Sequence, residues 1–230
     1  ATNKLKDCVM NTPKTDSRSR IIIVDDHPIV RQGLTELINH ESDLEVCSQA
    51  EDARDAMAQI RQLQPDLAVI DISLKDTNGL ELIKDIKAQY PEISILTLSM
   101  HDENLYAERA LRAGAQGYVM KHQATEKVIT AIRQILNGKI FVSEKMSSKM
   151  MAKMVGGSTD NGKSPIDRLS DRELEVFLLI GKGYGTRHIS QQLHLSVKTI
   201  ETYRTHIKDK LNLIDAAELL QYAIQWQNSQ

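Results

Sequence analysis

The sequence predicts two units: an α/β domain built as a doubly wound parallel sheet in the flavodoxin-like order 2-1-3-4-5, then a small all-α domain of four helices. Three observations lead there. Ile21-Ile22-Ile23-Val24 runs straight into Asp25-Asp26, and a branched apolar run of this kind reads as a strand buried on both faces. Apolar runs then alternate with stripes of helical spacing through residues 21–138, the pattern of βα units around a parallel sheet. Beyond residue 163 only helical spacing remains, opened by Ser170-Asp171-Arg172-Glu173, a capping box.

Each element has its own signal. After the first strand, Pro28 suits a helix start, and Ile29, Val30, Leu34, Leu37 and Ile38 recur at helical spacing. Residues 44–48 read as a short strand, and Ala53, Ala56, Met57, Ile60 and Leu63 give a stripe that stops before Pro65. Leu67-Ala68-Val69-Ile70 is a third buried strand ending at Asp71. Gly79 opens a helix through Leu80, Ile83 and Ile86 up to Pro91, and residues 93–98 form a fourth strand ending at Ser99. A weakly apolar helix over 103–113 is closed by Gly114. Gly117-Tyr118-Val119-Met120 is a fifth strand ending at Lys121, and Val128, Ile129, Ile132, Ile135 and Leu136 give the last helix before Gly138.

Residues 1–20 are polar and read as a disordered lead-in, residues 139–165 as a linker, and residues 166–230 as the second domain. The linker holds scattered Met and Lys, with helical character over part of 143–155, and then a Gly- and Ser-containing tether over 156–163. In the second domain Gly181 and Gly183 end the capped helix, and Ile189 and Leu193 mark a short one. Ser196 is the N-cap of a third that carries Ile200, Tyr203, Ile207 and Leu211. Residues 216–226 make a fourth, with Trp226 as its largest apolar side chain.

At 230 residues with a net charge of −2, the chain has the composition of an ordinary folded protein. No apolar run approaches the length of a membrane span, and the N-terminus has no apolar signal-peptide core. Two cysteines, Cys8 and Cys47, have no metal-ligand spacing. These features predict a cytoplasmic, reducing compartment and no membrane partner. The small net charge hides an asymmetry. Residues 21–138 hold 11 Lys and Arg against 19 Asp and Glu, a net of −8, whereas residues 182–210 hold six basic residues against Glu201 and Asp209, a net of +4. The two parts therefore suit different partners, and nucleic acid is a candidate for the second.

Asp25/Asp26, Asp71, Ser99 and Lys121 each end a strand, so a parallel sheet gathers three carboxylates, a hydroxyl and an ammonium on one edge. Taken singly, each also reads as a solvated loop cap; their joint occurrence at the correct ends argues for a site. Asp26 and Asp71, with a backbone carbonyl and waters, suit an octahedral Mg²⁺. Asp71 suits a carboxylate nucleophile toward a phosphoryl group, with Lys121 and the metal neutralising the transferring oxygens. Ser99 suits a hydrogen bond to the acyl phosphate that pulls its loop inward.

Residues 21–138 thus resemble a response-regulator receiver domain, through Asp25/Asp26, the Asp71 that ends Leu-Ala-Val-Ile-Asp, Gly79, Ser99 and Lys121 in the family's order and spacing. The resemblance implies that Asp71 is the phosphoacceptor. Asp26 and the carbonyl of Ser73 would bind Mg²⁺ directly, and Asp25 through water. It also implies that Ser99 and Tyr118 form a switch pair in which Tyr118 turns inward when Ser99 moves. Lys75 departs from the family, which commonly has Pro there; it either loosens the loop, adds a cation near the phosphate, or is simply solvated. His101 falls where family members tune dephosphorylation.

Residues 169–213 resemble a LuxR-type helix-turn-helix. The match runs Leu169-Ser170-x-Arg172-Glu173-x-Glu175-Val176, then Gly183, Ile189, Leu193, Ser196-x-x-Thr199-Ile200 and Ile207-x-x-Lys210-Leu211. Tyr203 and Ser190 stand where His and Ala are frequent. By this alignment residues 197–211 are the recognition helix. Glu201, Thr202 and Thr205 suit base readout, while Lys198, Arg204, Lys208 and the cap Ser196 suit phosphate contacts, with Thr199 beside them. Together the two resemblances point to the NarL/FixJ class of response regulators. That class implies a transcription factor switched by a sensor histidine kinase, which dimerises when phosphorylated and binds double-stranded promoter DNA. Any enzymatic activity would be confined to transient self-phosphorylation and self-dephosphorylation at Asp71. The alternative is a phosphorylation-independent DNA-binding regulator whose first domain is an interaction scaffold.

Overall fold

The structure is a computed structural model and describes residues 18–74, 77–155 and 165–229, with the backbone alone for 153–155. The lead-in up to residue 17, the Gly- and Ser-containing tether and Lys75 lie outside the described residues.

The first domain alternates β1 (Ser19–Val24), α1 (Pro28–Asn39), β2 (Leu44–Ala50), α2 (Ala53–Leu63), β3 (Leu67–Asp71), α3 (Gly79–Gln89), β4 (Ser94–Ser99), α4 (Glu103–Ala113), β5 (Gly117–Met120) and α5 (Ala124–Leu136). All the strands pair in parallel in the order β2-β1-β3-β4-β5, as the sequence predicts. Strand β1 begins at Ser19, inside what reads as a lead-in. The Ser19 N–H donates to the Asp43 carbonyl and the Arg20 N–H to the Asp66 carboxylate, so backbone pairing extends the strand past its apolar run.

The pleat sorts the strand residues onto two cores. Ile21, Ile23, Leu67, Val69, Leu96, Leu98 and Val119 face α1 and α5. Ile22, Val24, Ala68, Ile70 and Ile95 face α2, α3 and α4. Both faces are covered, which is why the strands are apolar throughout rather than alternating.

The linker is not a bare tether. Phe141 forms a parallel bridge with Gly117, accepting from the Tyr118 N–H and donating to the Gln116 carbonyl, each at 2.9 Å. Helix α6 (Glu144–Val155) follows; the Ser143 N–H at its start donates to Glu103 at the head of α4, and Met146 is buried. Sparse apolar residues at helical spacing suffice here because they pack on a surface that the first domain supplies.

In the second domain are α7 (Asp171–Gly181), α8 (Thr186–Gln192), α9 (Val197–Leu211) and α10 (Ala216–Asn228). The capping box at Ser170 and Glu173 is formed on both sides, and Ser196 caps α9 by accepting from the Thr199 N–H. Ile200 and Ile207 are buried under α7, and Phe177 meets Trp226 edge to face at 5.8 Å. Trp226 thus takes part in the core. Glu173 also accepts from Lys210 at 2.6 Å, tying α7 to the end of α9.

The two domains are docked. Arg109 of α4 donates to the carbonyls of Leu169 and Ile166 and to the Asp171 carboxylate, which also pairs with Lys84 of α3. Asn78, the N-cap of α3, donates to Glu175 at 3.4 Å. The core on the α2–α4 side continues through Ile166 and Leu169 into the helical domain.

Candidate functional site

Strand ends fix the positions of the candidate residues. Asp71 pairs in register with Leu98, one residue before Ser99, and Ser99 pairs with Met120, one residue before Lys121. The neighbouring strands therefore bring Asp71, Ser99 and Lys121 to one edge, beside Asp25 and Asp26 at the end of β1. Lys121 Nζ lies 2.6 Å from Asp25 Oδ2 and 2.7 Å from Asp71 Oδ2. Burial works against its charge, but the carboxylates of Asp71 and Asp25 outweigh that and raise the ammonium's pKa.

Asp71 is 2 % exposed. Burial pushes its carboxyl up to about 6, against the pull of Lys121 and with a smaller push from Asp25. Asp71 Oδ1 is buried and has no hydrogen-bond partner. A carboxylate oxygen left bare in a polar pocket costs stability unless something positive meets it. Ligand atoms of Asp25, Asp26, His27 and Asp71 all lie within 4.8 Å of one another. The three carboxylates therefore fit a hard divalent cation, with oxygen donors gathered together and Asp71 Oδ1 among them unpaired, while the fourth ligand atom, on His27, is a nitrogen.

His27 belongs to this cluster and was not among the residues singled out from the sequence. Its Nδ1 lies 2.6 Å from Asp26 Oδ1 and 3.1 Å from Asp25 Oδ1. Its adjacency to the acidic pair was the available signal.

The remaining residues of the edge form a connected set. Ser73 Oγ is hydrogen-bonded to His101 Nε2 at 2.8 Å, and the His101 N–H donates to Ser99 Oγ. The His101 ring stacks on Tyr106 with centroids 4.5 Å apart. Burial, followed by the charges of Lys182 and Lys121, pulls the imidazole down to about 4 and keeps it neutral. Tyr118 is expected to turn inward when Ser99 moves. Here it is already inward, 2 % exposed, with its hydroxyl donating to the His101 carbonyl at 2.8 Å. That bond satisfies a phenol that would otherwise be buried without a partner.

On α9 the buried side is Ile200 and Ile207, and Ser196, Lys198, Glu201, Thr202 and Thr205 are exposed. Thr199, Arg204 and Lys208 are half-buried at the margin. The hydroxyls of Thr202 and Thr205 donate to the carbonyls of Lys198 and Glu201, four residues earlier, and so offer lone pairs outward as acceptors. The docked first domain meets α7 through Arg109, Lys84 and Asn78, and the N-cap Ser196 and those four exposed residues of α9 remain in solvent.

Residues 21–133 match the family model described as response regulator receiver domain, and residues 167–223 match that of bacterial regulatory proteins, luxR family. The oxygen regulatory protein NreC of Staphylococcus carnosus is 37 % identical over 209 residues, covering 89 % of this chain and 96 % of that protein. A LuxR-family two-component response regulator from Aurantimonas sp. shares 34 % identity with a TM-score of 0.56, over 60 % of this chain and 99 % of its own. RcsB of Salmonella enterica serovar Typhimurium, bound to promoter rprA in the presence of a phosphomimetic, shares 27 % identity with a TM-score of 0.60, over 90 % of this chain and 98 % of its own. The sheet order, the edge of acids and lysine, and the capped helix-turn-helix agree with both family models, and the chain belongs to the two-component response regulators that join a receiver domain to a LuxR-family DNA-binding domain.

Proposed function

We propose that this chain is a cytoplasmic transcription factor switched by phosphorylation of Asp71. The observation that carries the reading is the bare, buried Oδ1 of Asp71 beside Lys121. A carboxylate held at a sheet edge with one oxygen unpaired and an ammonium on the other is arranged to attack phosphorus. A sensor histidine kinase is the donor. Asp26, Asp71 and the carbonyl of Ser73 would hold Mg²⁺, with Asp25 acting through water; when bound, the ion neutralises phosphoryl oxygens. Lys121 takes a second share of that charge. Ser99 accepts the role of hydrogen-bonding the acyl phosphate. Its hydroxyl already holds the His101 N–H, so its movement shifts the loop that carries His101 and, through the His101 carbonyl, Tyr118. The activity is transient self-phosphorylation and hydrolysis, not turnover of a metabolite.

The phosphorylated chain pairs into a homodimer, and two copies of α9 read promoter half-sites about one helical turn apart or a multiple of it. Glu201, Thr202 and Thr205 meet base edges. Ser196, Lys198, Thr199, Arg204 and Lys208 meet phosphates. The named complexes of RcsB with promoter DNA support this part. The receiver, residues 21–138, is joined to the DNA-binding unit, residues 166–230, by a linker whose first half is docked on the receiver.

One observation favours a second reading: five of the DNA-facing residues, Ser196 at the N-cap of α9 and four on the helix itself, are exposed while the domains are docked. That suits a regulator that binds DNA without phosphate and uses its receiver as a scaffold. Replacing Asp71 with Ala decides. Loss of the acetyl phosphate-dependent gain in promoter affinity and in dimer mass supports the switch; a variant with the wild-type gain supports the scaffold.

A further inference from the structure

His27 has no part in the phosphoryl transfer proposed above, yet its ring meets two of the acids at that edge. The backbone fixes its place. It is the N-cap of α1, extended at φ −93° and ψ 109°, with Pro28 directly after it. Its carbonyl accepts from the N–H groups of Val30 and Arg31, and its own N–H donates to Asp25 Oδ1 at 2.9 Å. The ring therefore leaves from a fixed point at the end of β1, with 60 % of its side chain exposed and open to an ion from solvent.

The lone pairs of the edge are divided. Lys121 Nζ takes Oδ2 of Asp25 and Oδ2 of Asp71. Asp71 Oδ1, the other oxygen of that carboxylate, is buried and has no hydrogen-bond partner. Asp26 Oδ1 is buried and lacks one too, although His27 Nδ1 stands only 2.6 Å away. That contact is close without the alignment of a hydrogen bond, so with the ring proton on Nε2 two lone-pair atoms converge from neighbouring residues. Lys121 offsets one of the three carboxylate charges, and the two that remain match one divalent ion.

A nitrogen changes which ion such a point prefers. Mg²⁺ takes oxygen donors in an octahedron and keeps several waters, whereas imidazole suits first-row ions such as Zn²⁺. Zn²⁺ with four protein ligands is tetrahedral and closed. Asp25, Asp26, His27 and Asp71 offer four ligand atoms, all within 4.8 Å of one another.

We propose that His27 makes the acidic edge a four-ligand Zn²⁺ site that competes with Mg²⁺ and holds the chain unphosphorylated. The inference rests on the acidic edge as a metal site. Zn²⁺ held in this way takes the bare Oδ1 of Asp71 as a ligand and leaves no position for a phosphoryl oxygen, while Mg²⁺ keeps positions that phosphoryl oxygens can take.

The test uses the full chain and reads Zn²⁺ binding by competition with a chromophoric chelator and Mg²⁺ binding by isothermal titration calorimetry. His27→Gln should weaken Zn²⁺ about ten- to hundredfold, the scale of losing one group from a metal site, and should weaken Mg²⁺ about tenfold less than that. Co²⁺ in the wild type should show the intense visible bands of a tetrahedral site, and these should collapse in His27→Gln. His188→Gln, on the exposed surface of α8, should bind Zn²⁺ as the wild type does. Added Zn²⁺ should suppress acyl phosphate formation from acetyl phosphate and Mg²⁺ in the wild type, and His27→Gln should resist it. Equal losses for both ions, Co²⁺ bands untouched by His27→Gln, or the same Zn²⁺ loss in His188→Gln overturns the inference, as does Zn²⁺ that binds without slowing phosphorylation. A wild-type chain that binds neither ion would instead sink the reading of the edge as a metal site.

Discussion

At the scale of single residues, the site is held together against its own preferences. Asp71 is buried with a carboxyl raised to about 6, so the folded chain binds its proton more tightly than an unfolded chain with a carboxyl near 3.8 does. Stability linked to this group is therefore fully present below about pH 4 and is lost as pH rises through 6. Replacing Asp71 with Asn should raise the melting temperature at pH 7.5 in metal-free buffer. The gain should be about 1–2 kcal/mol, less than the full shift implies because Lys121 loses one partner. At pH 4.5 most of the gain should vanish. Thermal denaturation at the two pH values checks this, and an equal gain at both would exclude the buried charge as the cause. Much of this edge is legible in the sequence, because a strand's last residue has nowhere to go but the sheet edge: Asp25, Asp26, Asp71, Ser99 and Lys121 follow from that alone. The orientation of Tyr118 does not follow. It depends on a hydrogen bond to the His101 carbonyl across a loop, and no periodicity reports on such a contact.

At the scale of elements, the site depends on how closely α3 approaches the end of β3. The Gly79 N–H donates to the Ile72 carbonyl at 2.8 Å. A Cβ on Gly79 would lie 2.0 Å from the Asp71 carbonyl oxygen, so any side chain there forces the helix away from the loop that follows Asp71. Gly79→Ala should destabilise the chain by about 1–3 kcal/mol, as overpacking does, and should slow phosphorylation from acetyl phosphate. Urea unfolding and acyl phosphate formation measure the two effects; wild-type values for both would mean that the approach is unimportant. The elements themselves were legible from spacing and caps, and the strand order from the economy of right-handed crossovers. Helix α6 was legible only in part. Its Met146 is buried against a surface made by other elements, and a stripe so sparse carries little signal of its own.

At the scale of the whole molecule, the docking of the domains is the feature that no sequence pattern announced. Arg109 and Asp171 lie 62 residues apart, and each reads as an ordinary surface charge until the fold brings them together. The Arg109 guanidinium makes three hydrogen bonds across the interface, and hydrogen bonds to charged groups contribute about 1.5–3 kcal/mol each in favourable cases. Arg109→Ala should therefore separate one calorimetric unfolding transition into two and shift the emission of Trp226, which lines the cavity between the domains. Because docking leaves the exposed face of α9 in solvent, the same variant should bind a mixed-sequence duplex as well as the wild type does. A large gain in affinity on undocking, read by fluorescence anisotropy, would show that the receiver masks the DNA-binding surface after all.

The bridge between Phe141 and Gly117 has a further consequence. A parallel sheet of five strands has two borders where backbone donors and acceptors face outward, and such borders invite pairing with other chains. At β5 the chain's own linker takes that place, and Gly117 allows the approach, since a Cβ there would stand 3.1 Å from the Phe141 oxygen and 2.6 Å from Ile135. The protein thus guards one border of its sheet with the segment that leads to its DNA-binding end. Any strand from a second chain that sought to add itself beside β5 would first have to displace that segment.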